Sequence, residues 1–150
     1  MLHAWLSLEE RRRTAVSKNI ILVDDDRALR ESLQFALELE GFTVESFESA
    51  EDFAEHGDVG SGSCLVFDYR LPGMSGLSLL MLLRDQLIDA PALLITTNPT
   101  LALRKRAREL GAEIVEKPLL SDELLNGIRS MFERVQVKVE PPQALSAAAS

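Results

Sequence analysis

The sequence predicts an α/β fold in which five parallel strands form one doubly wound sheet with helices on both faces. Two observations predict it. Short apolar runs alternate five times with segments whose apolar residues follow helical spacing, and such alternation with short connections implies parallel strands and right-handed crossovers. In addition, residues 20–23 and 64–67 are apolar throughout, as expected of strands covered on both faces.

The first half of the chain supplies three strands and two helices. Residues 20–23 (IILV) form the first strand, after which Asp26 caps a helix that Gly41 ends. The inner face of that helix carries Leu29, Leu33, Ala36 and Leu37. The remaining elements are a strand at 43–47, a short helix from Ser49 to about Glu55, a loop at 57–63 and a strand at 64–67.

The second half continues the alternation. In chain order the pattern predicts a helix at 76–88, a strand at 92–97, a helix at 100–110 and a strand at 113–116. Ser121 is expected to cap the last helix. Its apolar face consists of Leu124, Ile128, Met131, Phe132 and Val135. Residues 135–139 fit either a continuation of this helix or a short strand, because Val135, Val137 and Val139 alternate.

Length and composition indicate one globular domain at 19–137 with two end segments. The chain has 150 residues, of which 46% are apolar and 27% charged. Residues 1–18 contain a capping-box pair, Ser7 and Glu10, so a short helix or a frayed extension is expected there. Residues 138–150, with Pro141-Pro142, are expected to form a disordered tail.

The composition also disfavours several functional classes. The formal net charge of −8 is unfavourable for electrostatic binding of nucleic acid. The single cysteine, Cys64, cannot form a disulfide within the chain and is expected to be a buried thiol. Because no run of 18 apolar residues and no secretory signal is visible, we expect a cytoplasmic protein without a membrane span.

Polar residues stand where the predicted strands end. The set is Asp24, Asp25, Asp68, Thr96 and Lys117. Ligands and chemistry gather at the carboxyl ends of parallel strands, so these side chains should converge. Three carboxylates repel one another unless they take up protons or a cation, and Mg²⁺ prefers oxygen ligands. A cation, an amine and a hydroxyl around one carboxylate suit phosphoryl transfer, with Asp68 as the nucleophile that forms an acyl phosphate.

The four segments VDDD, LVFDYRLPGMSG, LLITT and EIVEKP together resemble the receiver domain of bacterial two-component response regulators over residues 19–135. The resemblance implies a flavodoxin-like sheet with strand order 2-1-3-4-5. It implies phosphorylation of Asp68 by a phosphohistidine of a sensor histidine kinase or phosphotransfer protein. The implied Mg²⁺ (or Mn²⁺) ligands are Asp25, Asp68 and the main-chain carbonyl of Arg70, with Asp24 acting through water. Thr96 would be the switch hydroxyl and Lys117 the phosphate-binding lysine, followed by a cis bond to Pro118.

Two positions depart from the pattern of the family. Thr97 stands where a glycine or alanine is usual, and its branched side chain could narrow the approach to Asp68. Ile114 replaces the usual aromatic residue on the fifth strand, so no ring can turn inward when the site is phosphorylated. One interpretation is that Ile114 is a core residue and that other contacts couple phosphorylation to the output. The other is that Ile114 indicates a muted output.

The leading functional hypothesis is therefore a stand-alone receiver, a signalling module rather than an enzyme, that acts through protein contacts or a homodimer. The alternatives are the receiver half of a truncated DNA-binding regulator and an aspartate-nucleophile phosphatase. Arg70 disfavours the phosphatase, because it occupies the place of a second carboxylate. Met81 and Leu82 could face a partner or be covered by Leu2, Trp5 and Leu6. The basic residues at 104–108 could be solvated or face an acidic partner.

Overall fold

The structure, a computed structural model, describes residues 18–117 and 123–139, the last five of these as backbone only. Five strands form one parallel sheet in the order β2-β1-β3-β4-β5. The strands are β1 (Asn19–Val23), β2 (Thr43–Phe47), β3 (Cys64–Asp68), β4 (Ala92–Thr96) and β5 (Ala112–Glu116). The helices are α1 (Arg27–Leu39), α2 (Ala50–His56), α3 (Gly76–Asp85), α4 (Leu101–Glu109) and α5 (Glu123–Val139). The predicted fold class and strand order are confirmed.

Alternate strand residues build a core on each face of the sheet. Ile20, Leu22 and Val66 belong to one apolar cluster, which includes Leu37 of α1 and Ile128 of α5. Residues of the opposite parity pack with α2, α3 and α4 in a second cluster. Its members include Ile21, Val23, Leu65, Phe67, Phe53, Leu79, Leu80, Leu83 and Ala107. Burial on both faces explains why β1 and β3 are apolar throughout.

Four of the helices have an N-cap residue with a hydroxyl or carboxylate side chain. Asp26, Ser49, Ser75 and Thr100 each accept a hydrogen bond from the backbone N–H three residues later. These contacts satisfy amide groups that would otherwise lack a partner at a helix start. The cap predicted at Ser121 lies outside the described residues.

Some predicted boundaries and faces are wrong. Helix α3 ends at Asp85 rather than Ile88, because Leu87 adopts a left-handed conformation with φ of 64°. Strand β4 ends at Thr96, and Thr97 is exposed. Ala36 was expected on the inner face of α1 but is exposed, since Leu33 and Leu37 make the contact with the core.

The two end segments lie largely outside the described residues, so the division into extension, domain and tail stays a prediction. Helix α5 continues to Val139. The alternative of a short strand at 135–139 is therefore wrong, and the helix extends two residues beyond the predicted domain boundary. Among the described residues, no helix is both long enough and apolar enough to cross a membrane.

Candidate functional site at the carboxyl edge of the sheet

The register of the strands brings the predicted site residues to one edge. Val23 pairs with Phe67, Asp68 with Ile95, and Thr96 with Glu116. Asp24 and Lys117 follow their strands directly, and Asp68 and Thr96 are the last residues of theirs. The structure therefore places polar groups from four neighbouring strand ends side by side, as the sequence predicts.

Asp68 is held by two donors at the end of β3. Its side chain is almost fully buried, with 3% of the residue exposed. The Lys117 ammonium lies 2.9 Å from Oδ2, and the backbone N–H of Arg70 donates to Oδ1 at 3.1 Å. These contacts fix the orientation of the Asp68 carboxylate.

Two further carboxylates, those of Asp24 and Asp25, lie close to Asp68. Asp24, Asp25 and Asp68 each offer an oxygen, and these oxygens lie within 4.8 Å of one another. Asp24 and Asp68 are buried, whereas Asp25 is exposed. Oδ1 of Asp24 accepts a hydrogen bond from the backbone N–H of Asp26 at 2.9 Å. Oδ2 of Asp24 is buried and has no hydrogen-bond partner within the described part of the chain.

The electrostatics of Asp24 match this geometry. The pKa of Asp24 is raised to about 6, chiefly by burial and also by the charges of Asp68 and Asp25, against the lowering effects of the bond from Asp26 and the charge of Lys117. A buried carboxylate with a free oxygen is costly unless a proton or cation satisfies it. The donor set is all oxygen and anionic, so the residues present fit a hard divalent cation such as Mg²⁺.

Lys117 supplies the positive charge of the site. Burial lowers the pKa of Lys117, but the hydrogen bond and charge of Asp68, with the charges of Asp24 and Asp25, outweigh it and the pKa is raised. The lysine therefore stays protonated at neutral pH. Its backbone N–H donates to the Thr96 carbonyl at 2.8 Å, which links β5 to the end of β4.

The other predicted residues occupy different surroundings. Thr96 is buried at the same edge, and its hydroxyl lies 3.5 Å from the Thr97 carbonyl. Thr97 itself is exposed. Ile114 is half-buried and packs against the core cluster beneath α2, α3 and α4, away from the acids. Pro118 and the bond before it lie outside the described residues.

Two residues that support the site were missed by sequence reasoning. A Cβ on Gly76 would lie 2.3 Å from the Asp68 carbonyl oxygen, so only glycine allows α3 to start against the end of β3. Glu51 of α2 accepts a hydrogen bond from the Met74 N–H at 2.8 Å and tethers the loop after Asp68. The quoted motif PGMSG contains Gly76, but the close approach depends on tertiary contacts that no local pattern encodes.

Comparisons with known proteins agree with this geometry. The family model described as response regulator receiver domain matches residues 20–129. The transcriptional regulatory protein FixJ of Bradyrhizobium diazoefficiens is 35% identical over 119 residues, which cover 79% of this chain and 58% of FixJ. The C4-dicarboxylate transport transcriptional regulatory protein DctD of Rhizobium meliloti is 32% identical over 127 residues, which cover 84% of this chain and 28% of DctD. The chain thus spans little more than half of one relative and under a third of the other.

Solved structures share the fold. The crystal structure of FixJ-N superposes with a TM-score of 0.69 at 35% identity, covering 78% of this chain and 94% of that one. The response regulator StyR gives a TM-score of 0.72 at 35% identity, covering 89% of this chain and 67% of that one. Receiver domains are signalling domains with an acidic Mg²⁺-binding pocket that interact with histidine kinases or phosphotransfer proteins. This chain belongs to the response regulator receiver domain family.

Proposed function

We propose that Asp68 is the phosphoacceptor of this chain, and that its donor is a phosphohistidine on a sensor histidine kinase or phosphotransfer protein. The observation that carries the proposal is the setting of Asp68. It is a buried carboxylate at a strand end, and it is paired with Lys117 at 2.9 Å. It also lies beside Asp24, one buried oxygen of which has no partner among the described residues. A carboxylate that only held the fold together would not need the second buried acid.

In the proposed reaction a carboxylate oxygen of Asp68 attacks the phosphorus of phosphohistidine. The new P–O bond forms as the P–N bond breaks, and the imidazole nitrogen of the donor takes up a proton. Hydrolysis later returns inorganic phosphate and the free carboxylate of Asp68. The transferred group carries negative charge on three oxygens, so the work of the site is positioning and neutralisation. In this proposal Lys117 and the Thr96 hydroxyl bind two of those oxygens.

Asp24, Asp25, Asp68 and the Arg70 carbonyl would hold the divalent cation, Mg²⁺ or Mn²⁺. When bound, the cation neutralises the clustered carboxylates and the phosphoryl oxygens. The chain itself contributes a rigid loop. The N–H of Arg70 is engaged by Asp68 and that of Met74 by Glu51, so the loop that carries the Arg70 carbonyl is fixed at both ends.

The output of the proposed switch is a change in protein contacts, which includes the possibility of a homodimer. Thr96 would move toward the phosphoryl group, while Ile114 offers no ring to follow it. We place the module in the cytoplasm, where ATP charges the histidine donor. Neither nucleic acid nor membrane is a partner in this proposal.

A second arrangement has specific support. The matched relatives FixJ and DctD are named transcriptional regulatory proteins, and both are longer than the stretch they share with this chain. The same site would then control a separate output domain rather than act alone. The two arrangements share the chemistry at Asp68 and differ only in what reads it.

The direct test is incubation of the protein with acetyl phosphate and Mg²⁺, followed by intact mass measurement. The wild type should gain one phosphoryl group, and Asp68→Asn should gain none. Asp85→Asn, which changes an exposed acid on α3, is the matched control and should behave as wild type. A phosphoryl group on Asp68→Asn, or none on the wild type, would refute the assignment.

A further inference from the structure

A cleft of about 290 Å³ opens at the amino edge of the sheet, opposite the acid cluster. It lies between the loop before β3 and the turn before β4. Its apolar walls are formed by Val59, Leu87, Ile88, Ala90 and Pro91. A second depression of about 110 Å³ shares Val59 and Ile88 with it and extends to the exposed Leu82 of α3. The two adjoin each other and together present apolar and polar residues, and we call them the amino-edge cleft.

Leu87 is an unusual residue for its position in this cleft. Its N–H donates to the Arg84 carbonyl at 2.9 Å, and the next N–H, of Ile88, donates to the Leu83 carbonyl at 3.0 Å. This is the Schellman pattern, in which the residue after the helix cap is left-handed and usually glycine. Leu87 nevertheless has φ of 64°, and 91% of it is exposed.

Two other helices of the same chain show the usual choice. Gly41 ends α1 with φ of 99° and donates to Glu38, while Gly111 ends α4 with φ of 75° and donates to Arg108. A leucine in the corresponding place costs backbone strain and exposes an apolar side chain to water. Leu87 is too exposed for burial against the described core to offset that cost.

The amino-terminal segment starts at the rim of this cleft. Asn19, the first residue of β1, donates from its side chain to the Ser63 hydroxyl at 3.1 Å, and Ser63 lines the cleft. Residues 1–17 precede this point directly. Even at the helical rise of about 1.5 Å per residue, a segment of this length would be about 25 Å long.

The composition of that segment is complementary to the cleft. It carries four large apolar residues, Leu2, Trp5, Leu6 and Leu8, within eight positions. Three consecutive arginines follow at 11–13. Asp58, which is exposed and lines the neighbouring depression, is opposite in charge to these arginines.

We propose that residues 1–17 dock into the amino-edge cleft of their own chain, with Trp5 and its apolar neighbours covering Leu87. The segment is then an integral cover of the domain. A rival surface is the outer side of α1, where Phe35 is 65% and Leu39 is 71% exposed. That surface has ordinary helical geometry throughout, whereas the cleft combines a cavity, a left-handed leucine and the point of entry of the segment.

Trp5 is the only tryptophan of the chain, so its fluorescence reports on the segment alone. In the full chain we expect a blue-shifted emission, compared with the protein in urea, and protection from acrylamide. Leu87→Asn should abolish the shift and the protection. Asparagine tolerates the left-handed conformation, so the fold is not penalised. Leu39→Gln, a helix-compatible change on α1, is the matched control and should leave both signals intact.

Three results would overturn the proposal. Trp5 of the wild type could be as accessible as in urea. Leu39→Gln could release it while Leu87→Asn does not, which would assign the outer side of α1. The blue shift could be lost on dilution, which would assign the segment to a second copy of the chain. Protection that is independent of concentration and sensitive only to Leu87→Asn supports docking within one chain.

Discussion

At the carboxyl edge of the sheet three polar side chains, those of Asp24, Asp68 and Thr96, are buried. At the amino edge a large apolar side chain, Leu87, is left in water. Each arrangement is the reverse of what stability alone favours. The strands between them follow the ordinary rule, with apolar residues buried on both faces. Both edges therefore hold side chains in surroundings that stability alone does not favour, as Phe35, Leu39 and Leu101 also do on the helices.

Buried polar groups at one edge and an exposed apolar group at the other indicate ligands of opposite kinds. The Asp24 oxygen that has no partner among the described residues suits a cation. The ammonium of Lys117, beside Asp68, suits a phosphoryl group. The exposed leucine suits an apolar segment. Substitutions at one edge, with controls at the other, separate these two ligand requirements.

Gly76→Ala, at the carboxyl edge, should cause the largest loss of stability. The added Cβ would meet the Asp68 carbonyl oxygen at 2.3 Å, so α3 must shift away from β3. We expect a loss of about 3 kcal/mol in the free energy of unfolding, the upper end for overpacking, measured by urea denaturation. Gly60→Ala at the amino edge is the control, because the new Cβ would be 3.8 Å from the nearest atom, the Ser63 hydroxyl. Equal stability of the two variants would contradict the close approach.

Asp24 should make the metal-free protein less stable as the pH rises. Its pKa is raised from 3.8 to about 6 on folding, so the folded state holds the proton more tightly than the unfolded state. That stabilisation is complete below pH 3.8 and is lost as the pH rises through about 6, an effect of at most about 3 kcal/mol.

The measurement is the free energy of unfolding in EDTA between these two pH values, for the wild type and Asp24→Asn. Asparagine has no carboxyl to titrate, so the stability difference between the two proteins should grow with pH. Mg²⁺ at neutral pH should restore the stability of the wild type and have little effect on the stability of the variant. Parallel pH profiles of the free energy of unfolding in the two proteins would show that Asp24 does not cause the loss of stability.

Lys117→Met should increase the affinity for Mg²⁺. The ammonium 2.9 Å from Asp68 repels a cation bound to the same carboxylate. Its removal should tighten binding by about tenfold, or about 1.4 kcal/mol, measured by calorimetry. Lys105→Met, on the exposed side of α4, is the control and should change little. Weaker binding by Lys117→Met than by the control would mean that the lysine organises the acids rather than opposing the cation.

Thr97→Ala should have the smallest effect. Thr97 follows the buried Thr96 at the carboxyl edge and is exposed, so its branched side chain can narrow the approach to Asp68. We expect phosphorylation by acetyl phosphate and hydrolysis of the product to become faster by about threefold, less than 1 kcal/mol in barrier. Thr43→Ala, exposed at the start of β2, is the control. Identical rates in the wild type and Thr97→Ala would remove the steric argument.

The sequence was sufficient for the fold and the convergence of the site because both depend on local signals. Apolar runs such as 20–23 define the strands, and parallel topology brings Asp24 and Asp68 to one edge. Leu87 was not predicted, since leucine is not a helix stop signal and the turn depends on backbone hydrogen bonds. The contacts of Gly76 and Glu51 were missed for a related reason: each joins segments that only the tertiary fold brings together.

Borohydride trapping tests directly whether Asp68 carries the phosphoryl group. Borohydride reduces an aspartyl phosphate to an alcohol and releases phosphate, which leaves homoserine at the modified position. After incubation with acetyl phosphate and Mg²⁺, reduction and peptide sequencing by mass spectrometry should therefore find homoserine at position 68. Homoserine at position 24 or 25, or a phosphorylated protein without homoserine at 68, would contradict the account.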